Sequence, residues 1–63
     1  MPSEERFPAV RRLLEQNGWS LVRISGSHHV FEKAGSDLMV IPVHRGKVKP
    51  AYVRKIQKII QGD

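Results

Sequence analysis

The segment 19–33, with the sequence WSLVRISGSHHVFEK, decides the fold. It contains two runs of bulky or β-branched residues, one over 19–24 and one over 28–33, and Gly26-Ser27 separates them. Bulky and branched side chains favour strands, whereas a glycine followed by a small polar residue favours a tight turn. The segment therefore predicts two antiparallel strands joined by a short turn.

Three further elements extend this hairpin along the chain. Residues 38–41 form a continuous apolar run, which is typical of a well-covered third strand. An apolar stripe at helical spacing predicts a first helix that begins at Pro8 and ends before Gly18, and a second helix opens at Pro50. Residues 43–49 are expected to be a loop. The order α-β-β-β-α predicts an α+β domain with a three-stranded antiparallel sheet and both helices on one face.

Composition restricts the class of protein. The 63 residues are enough for one domain and no more. Cysteine is absent, which excludes disulfides, thiolate nucleophiles and cysteine-based zinc sites. No apolar run approaches the roughly 20 residues that span a bilayer, and no signal-peptide core precedes the first helix, so we expect a cytoplasmic protein without a membrane partner.

The charge is positive and unevenly distributed. Lys and Arg number 11 against 6 Asp and Glu, which gives a formal net charge of +5, and no acid lies between Asp37 and Asp63. That acid-free interval holds Arg45, Lys47, Lys49, Arg54, Lys55 and Lys58. Such a field of one sign attracts phosphates and makes binding weaken as salt is added. It predicts a nucleic acid or an acidic protein as partner, although a positive excess also serves solubility alone.

Two adjacent histidines at the start of the second strand are the candidates for chemistry. Histidine takes and gives a proton near neutral pH, as a general base or acid must. Because side chains alternate along a strand, His28 and His29 point to opposite faces, and only one of them can address a given site. The alternative is that both are ordinary strand residues bonded to loop carbonyls. A zinc site built from these two and His44 has poor geometry, so no metal is expected.

The chain resembles the HicA toxin family, also called YcfA-like. Five pieces in a specific order carry the resemblance and cover nearly the whole chain: a leading helix ending in Asn17-Gly18-Trp19, the strand residues Leu21-Val22-Arg23, the motif Gly26-Ser27-His28-His29-Val30-Phe31, then Ile41-Pro42-Val43-His44, and a lysine-rich loop with a closing helix. The resemblance implies a fold like that of the double-stranded-RNA-binding domain. Residues 1–6 precede the family's usual first helix, and we expect them to be disordered.

The resemblance also implies an activity, that of a bacterial endoribonuclease that cleaves messenger RNA without a metal or other cofactor. The family's catalytic histidine follows Gly-Ser and precedes an aromatic or large apolar residue by three positions, which matches His28 and Phe31. His29 stays an alternative, because a one-residue slip of the strand would exchange the two faces. His44 matches the family's Pro-x-His element and is the candidate proton donor.

Partners follow from the same resemblance. It implies control by an antitoxin of the HicB kind, and an oligomer would form through that antitoxin. Candidate RNA-binding residues are Ser27, Arg45, Lys47, Lys49, Arg54, Lys55 and Lys58. Two other functions stay open on the sequence, which are a non-catalytic RNA-binding module of the same fold and an interaction domain for an acidic protein.

Overall fold

The structure, a computed structural model, describes residues 4–62. Its elements are β1 (Glu5–Arg6), α1 (Phe7–Gln16), β2 (Ser20–Ser25), β3 (His28–Glu32), β4 (Met39–Pro42), β5 (Lys47–Val48) and α2 (Pro50–Ile60). The predicted α-β-β-β-α order is confirmed, and two short strands are added to it. This arrangement is consistent with the double-stranded-RNA-binding-domain-like fold.

The main sheet is an antiparallel meander in the order β2-β3-β4. Phe31 on the central strand β3 pairs with Leu21 on β2 and with Met39 on β4. An irregularity between Leu21 and Arg23 interrupts the pairing of β2 with β3. Such a bulge increases the local twist, and here it lies on an edge strand, where bulges are common.

One face of the sheet and both helices share a single core. Its buried members are Val10, Leu14, Trp19, Phe31, Met39, Ile41, Val48, Val53 and Ile56. Phe31, Leu14, Ile41 and Val48 in this set are completely inaccessible to solvent. Because the two helices and the sheet contribute to one core, the helices lie on the same face, as predicted. Neither helix covers the outer face of the sheet, where Val40 is exposed and its partner Val30 is buried.

The first helix ends at a glycine in the left-handed region. Gly18 has a φ of +88°, and its N–H donates to the Glu15 carbonyl while the Trp19 N–H donates to the Leu14 carbonyl. These two bonds satisfy the last carbonyls of the helix in the pattern of a Schellman cap. The side-chain amide of Asn17 adds a 2.8 Å bond to the Leu13 carbonyl. The predicted left-handed cap is therefore present, and it turns the chain toward β2.

The second, two-stranded sheet corrects two expectations. Glu5 pairs with Val48 and Arg6 with Lys47, so these two residues of segment 1–6 are ordered, contrary to the expectation; residues 1–3 lie outside the described residues. The expected loop 43–49 contains β5, and Val48 is a fully buried core residue. The physical reason is the alternation Lys-Val-Lys, which directs one apolar side chain inward between two solvated ones.

Neither helix in the part of the chain from Glu4 to Gly62 has the length and apolar character needed to cross a membrane.

Candidate catalytic and nucleic-acid site

The two adjacent histidines occupy different environments. Phe31 is completely buried on the helix side of β3, and His29 shares that face because it lies two residues away. The His29 ring is partly buried and packs on Phe7, with ring centroids 4.4 Å apart and a tilt of 57° between the planes. His28 is exposed on the opposite, outer face of the sheet. The predicted divergence of the two imidazoles is confirmed, and His28 is the one open to solvent.

His29 is tied to the turn that precedes His28. Its Nδ1 lies 3.2 Å from the Ser27 carbonyl oxygen. Because a carbonyl oxygen can only accept a hydrogen bond, Nδ1 must carry the proton in this contact. The same oxygen also accepts a 2.7 Å bond from the N–H of Val43. The turn before His28 is thus fastened to its own strand and to the chain that leaves β4.

A tight hairpin lies immediately beyond that bond. His44 and Lys47 exchange two backbone hydrogen bonds of 2.9 Å each, and Arg45 and Gly46 form the turn between them. Both turn residues have positive φ, +53° and +76°. Two successive residues with positive φ are the mark of a type I′ turn, whose twist suits a two-residue hairpin. The hairpin presents the exposed side chains of His44, Arg45 and Lys47.

Pairing in the sheet places this hairpin at the same end of the molecule as His28. The Cα partner of His28 on β4 is Pro42, and the chain enters the hairpin two residues later. The structure therefore places a subset of the predicted site residues at one end of the sheet: Ser27, His28, His29, His44, Arg45 and Lys47. Ser27 is partly buried in the turn, whereas His28 and the three hairpin side chains are exposed.

The remaining predicted cations are distributed along the second helix. Lys49 is the residue that precedes α2, and Arg54 and Lys58 are exposed on it. Lys55 lines a cavity with Trp19 and the β3–β4 turn. In a meander that turn lies at the opposite end of the sheet from the β2–β3 turn, so Lys55 is not part of the cluster around His28.

Sequence reasoning missed Arg6 and Phe7. The ring of Phe7 covers His29, and Arg6 lines a cleft with Pro8, Arg45, Gly46 and Lys47. Both residues reach this place because β1 pairs with β5 and because the Phe7 N–H donates a 2.8 Å bond to the Gly46 carbonyl. A strand of two residues has too little alternation to be recognised. The available signal was the polar-to-apolar order Arg-Phe-Pro at the start of the helix.

Among residues 4–62, no three His, Asp or Glu side chains are grouped so that they could hold a metal ion.

A family model described as the HicA toxin of bacterial toxin-antitoxin systems matches residues 8–61. The chain belongs to the HicA toxin family. The HicA match runs from the second residue of α1 to just beyond the end of α2. It therefore leaves out Arg6 on β1 and Phe7 at the start of α1. No curated protein and no solved structure gives a significant match to the chain.

Proposed function

We propose that this chain is an endoribonuclease toxin that cleaves messenger RNA without a metal, with His28 as the general base. The proposal is supported by membership of the HicA toxin family and by the exposure of His28. The observation that carries it is the 2.7 Å bond from the Val43 N–H to the Ser27 carbonyl. That bond joins the turn that bears His28 to the hairpin that bears the cations.

The reaction uses the ribose as its own nucleophile. His28 takes the proton of the 2′-hydroxyl, and the 2′-oxygen forms a bond to the adjacent phosphorus. The bond from phosphorus to the 5′-oxygen breaks, and that oxygen takes a proton from its donor, for which His44 is the candidate. The products are a 2′,3′-cyclic phosphate and a free 5′-hydroxyl. One well-placed base contributes roughly 10²–10⁴-fold to such a rate.

The cations have a separate task. Arg45 and Lys47 on the hairpin would raise the positive potential at the end of the sheet where His28 lies, which favours negative charge on the reacting phosphate without direct contact. Binding of flanking phosphates is assigned to Ser27, Lys49, Arg54, Lys55 and Lys58. Contacts of this kind recognise the RNA backbone and carry little base specificity. A salt-sensitive nuclease with weak sequence preference is the expected result.

Control by an antitoxin of the HicB kind belongs to the same proposal. An antitoxin segment with acidic or apolar residues would cover His28 and occupy the cations that otherwise bind RNA. Any oligomer would then form through the antitoxin. The physical basis is competition for one set of positive charges, so bound antitoxin and bound RNA exclude each other.

The test is the chemistry of the product ends. Purified protein is incubated with an end-labelled transcript, with and without EDTA, and the fragments are analysed for their termini. Fragments with cyclic phosphate and 5′-hydroxyl ends in both conditions support the proposal. Cleavage that EDTA abolishes contradicts the metal-independent reaction. Salt-dependent binding without cleavage establishes the non-catalytic RNA-binding module instead, and the absence of salt-dependent RNA binding points to an acidic protein as the partner.

A further inference from the structure

We propose that Arg6, Arg45 and Lys47 together form a binding site for one phosphate of the RNA backbone, distinct from the phosphate that is cleaved. This inference rests on the proposed function, because the ligand is the same RNA. Arg6 lies on β1, ahead of the residues that match the HicA family model, so the match assigns no role to this cation.

The three side chains line one cleft. Arg6 and Lys47 are Cα partners in the β1–β5 ribbon, and Arg45 lies in the turn that leads into β5. The cleft has a volume of about 390 Å³. Pro8 and Gly46 complete its lining, and all three cations are exposed.

The arrangement is unfavourable in the absence of an anion. Like charges directly opposite each other on paired strands destabilise the pair, and Arg6 and Lys47 are such a pair. Glu4 is the acid placed to compensate, at 3.8 Å from Lys47, but both side chains of this ion pair are about half exposed, at 51% and 53%. An exposed pair of that kind contributes little. A phosphate would supply the missing negative charge.

The backbone at the same cleft is also in an unfavourable conformation. Arg45 has a φ of +53°, which L-residues other than asparagine and aspartate seldom adopt. Asparagine would suit this turn position better, yet arginine occupies it and points a guanidinium toward solvent. A guanidinium group can donate two parallel hydrogen bonds to two oxygens of one phosphate. Arg6 and Arg45 can each make this bidentate contact from a different side of the cleft.

The position of the cleft separates it from the cleaved bond. Arg6 is followed by Phe7, and Phe7 packs on His29, on the helix side of β3. His28 points to the outer face. A strand of RNA whose scissile phosphate lies at His28 would therefore reach the cleft with a neighbouring phosphate after crossing the end of the sheet.

The experiment compares matched variants in a background that does not cleave. His28→Ala protein is combined with Arg6→Gln, Arg6→Lys or Arg12→Gln. Arg12 is an exposed arginine of α1 that does not line the cleft. Arg12→Gln therefore removes the same charge as Arg6→Gln, but away from the cleft. Binding of a fluorescent ten-nucleotide oligoribonucleotide is measured by anisotropy over a series of salt concentrations, and the Tm of each variant is recorded.

We expect Arg6→Gln to weaken binding about tenfold at low salt and to lower the slope of log K against log salt by about 0.7, the value for one phosphate contact on a single strand. Arg6→Lys should retain most of the slope, and Arg12→Gln should change affinity less than about twofold. The Tm of Arg6→Gln should not fall, because the variant removes a like-charge pair.

Several outcomes overturn the inference. An unchanged salt slope in Arg6→Gln overturns it, as does a loss of RNA affinity in Arg12→Gln as large as that in Arg6→Gln. A lowered Tm of Arg6→Gln also overturns it, because the loss of affinity would then come from impaired folding. A glutamate-rich peptide whose binding depends on Arg6 while RNA binding does not would assign the cleft to an acidic protein. Cleavage by the chain with His28 intact is scored separately. If the protein cleaves RNA and Arg6→Gln leaves RNA binding unchanged, only the proposed phosphate site is contradicted. If binding depends on Arg6 but no cleavage occurs, only the proposed nuclease activity is contradicted.

Discussion

Adjacent histidines on β3 differ because one of them is anchored and the other is free. His29 donates through Nδ1 to the Ser27 carbonyl and packs on Phe7, whereas His28 is exposed on the outer face. The alternation of side chains along a strand predicted that the two rings diverge. Which ring is anchored depends on Phe7, whose position is set by the pairing of β1 with β5 far along the chain. Local sequence could not supply that contact.

A pair of substitutions separates the anchor from the packing at His29. His29→Phe keeps an aromatic ring against Phe7 but removes the donor to Ser27, and His29→Asn restores a donor near the position of Nδ1. We expect cleavage by His29→Phe to fall about fivefold, corresponding to one lost hydrogen bond of roughly 1 kcal/mol. His29→Asn should recover much of that rate. Single-turnover cleavage kinetics with saturating protein measure both.

RNA affinity is the control for this pair. Because His29 faces the helix side, neither variant should change the affinity for RNA by more than about twofold. Equal rates for His29→Phe and the parent protein would show that the Ser27 bond does not position His28. A rate for His29→Asn as low as that of His29→Phe would attribute the loss to packing.

At the scale of elements, the hairpin between β4 and β5 is where sequence reasoning was least complete. The long strands and both helices were predicted because each repeats its pattern over several residues. The β5 strand contains only Lys47 and Val48, and its partner β1 lies about forty positions earlier in the chain. Burial of Val48 therefore depends on the long-range pairing of β5 with β1, which the sequence of 43–49 alone does not predict.

Substitution of Arg45 in the turn of this hairpin is expected to increase stability and to weaken RNA binding. Arg45 holds a positive φ at a position where asparagine is favoured, so Arg45→Asn should raise the free energy of unfolding by about 1 kcal/mol. In a domain of this size such a change raises the Tm by roughly 4–8 °C. Loss of the guanidinium should at the same time weaken RNA binding. Thermal unfolding and salt-dependent binding assays measure the two effects.

Arg45→Lys is the matched control, since it keeps the charge and the unfavourable backbone conformation. Its Tm should equal that of the parent protein, and its RNA affinity should fall less than that of Arg45→Asn. A Tm for Arg45→Asn below that of the parent would mean that the arginine side chain stabilises the hairpin. Weaker stability and weaker binding together would make Arg45 a structural residue.

At the scale of the whole molecule, charge and topology act together. The excess of +5 and the acid-free interval predicted a polyanion as partner, but not where the cations meet. The fold divides them into a group on the hairpin beside the β2–β3 turn and a second group along α2, with Lys55 at the far end of the sheet. The hairpin group lies at the same end of the sheet as His28, whereas Lys55 does not. The catalytic role of that histidine is what the family resemblance implies, and the position of the hairpin comes from the fold.

We assign proton abstraction to His28, proton donation to His44 and binding of the RNA backbone to the surrounding cations. The role of His28 is tested by His28→Ala, with the single-turnover cleavage rate and the dissociation constant for the same labelled RNA measured side by side. We expect a loss of cleavage of roughly 10²–10⁴-fold with affinity changed by less than about twofold. Unchanged cleavage, or a loss of affinity as large as the loss of rate, would contradict it.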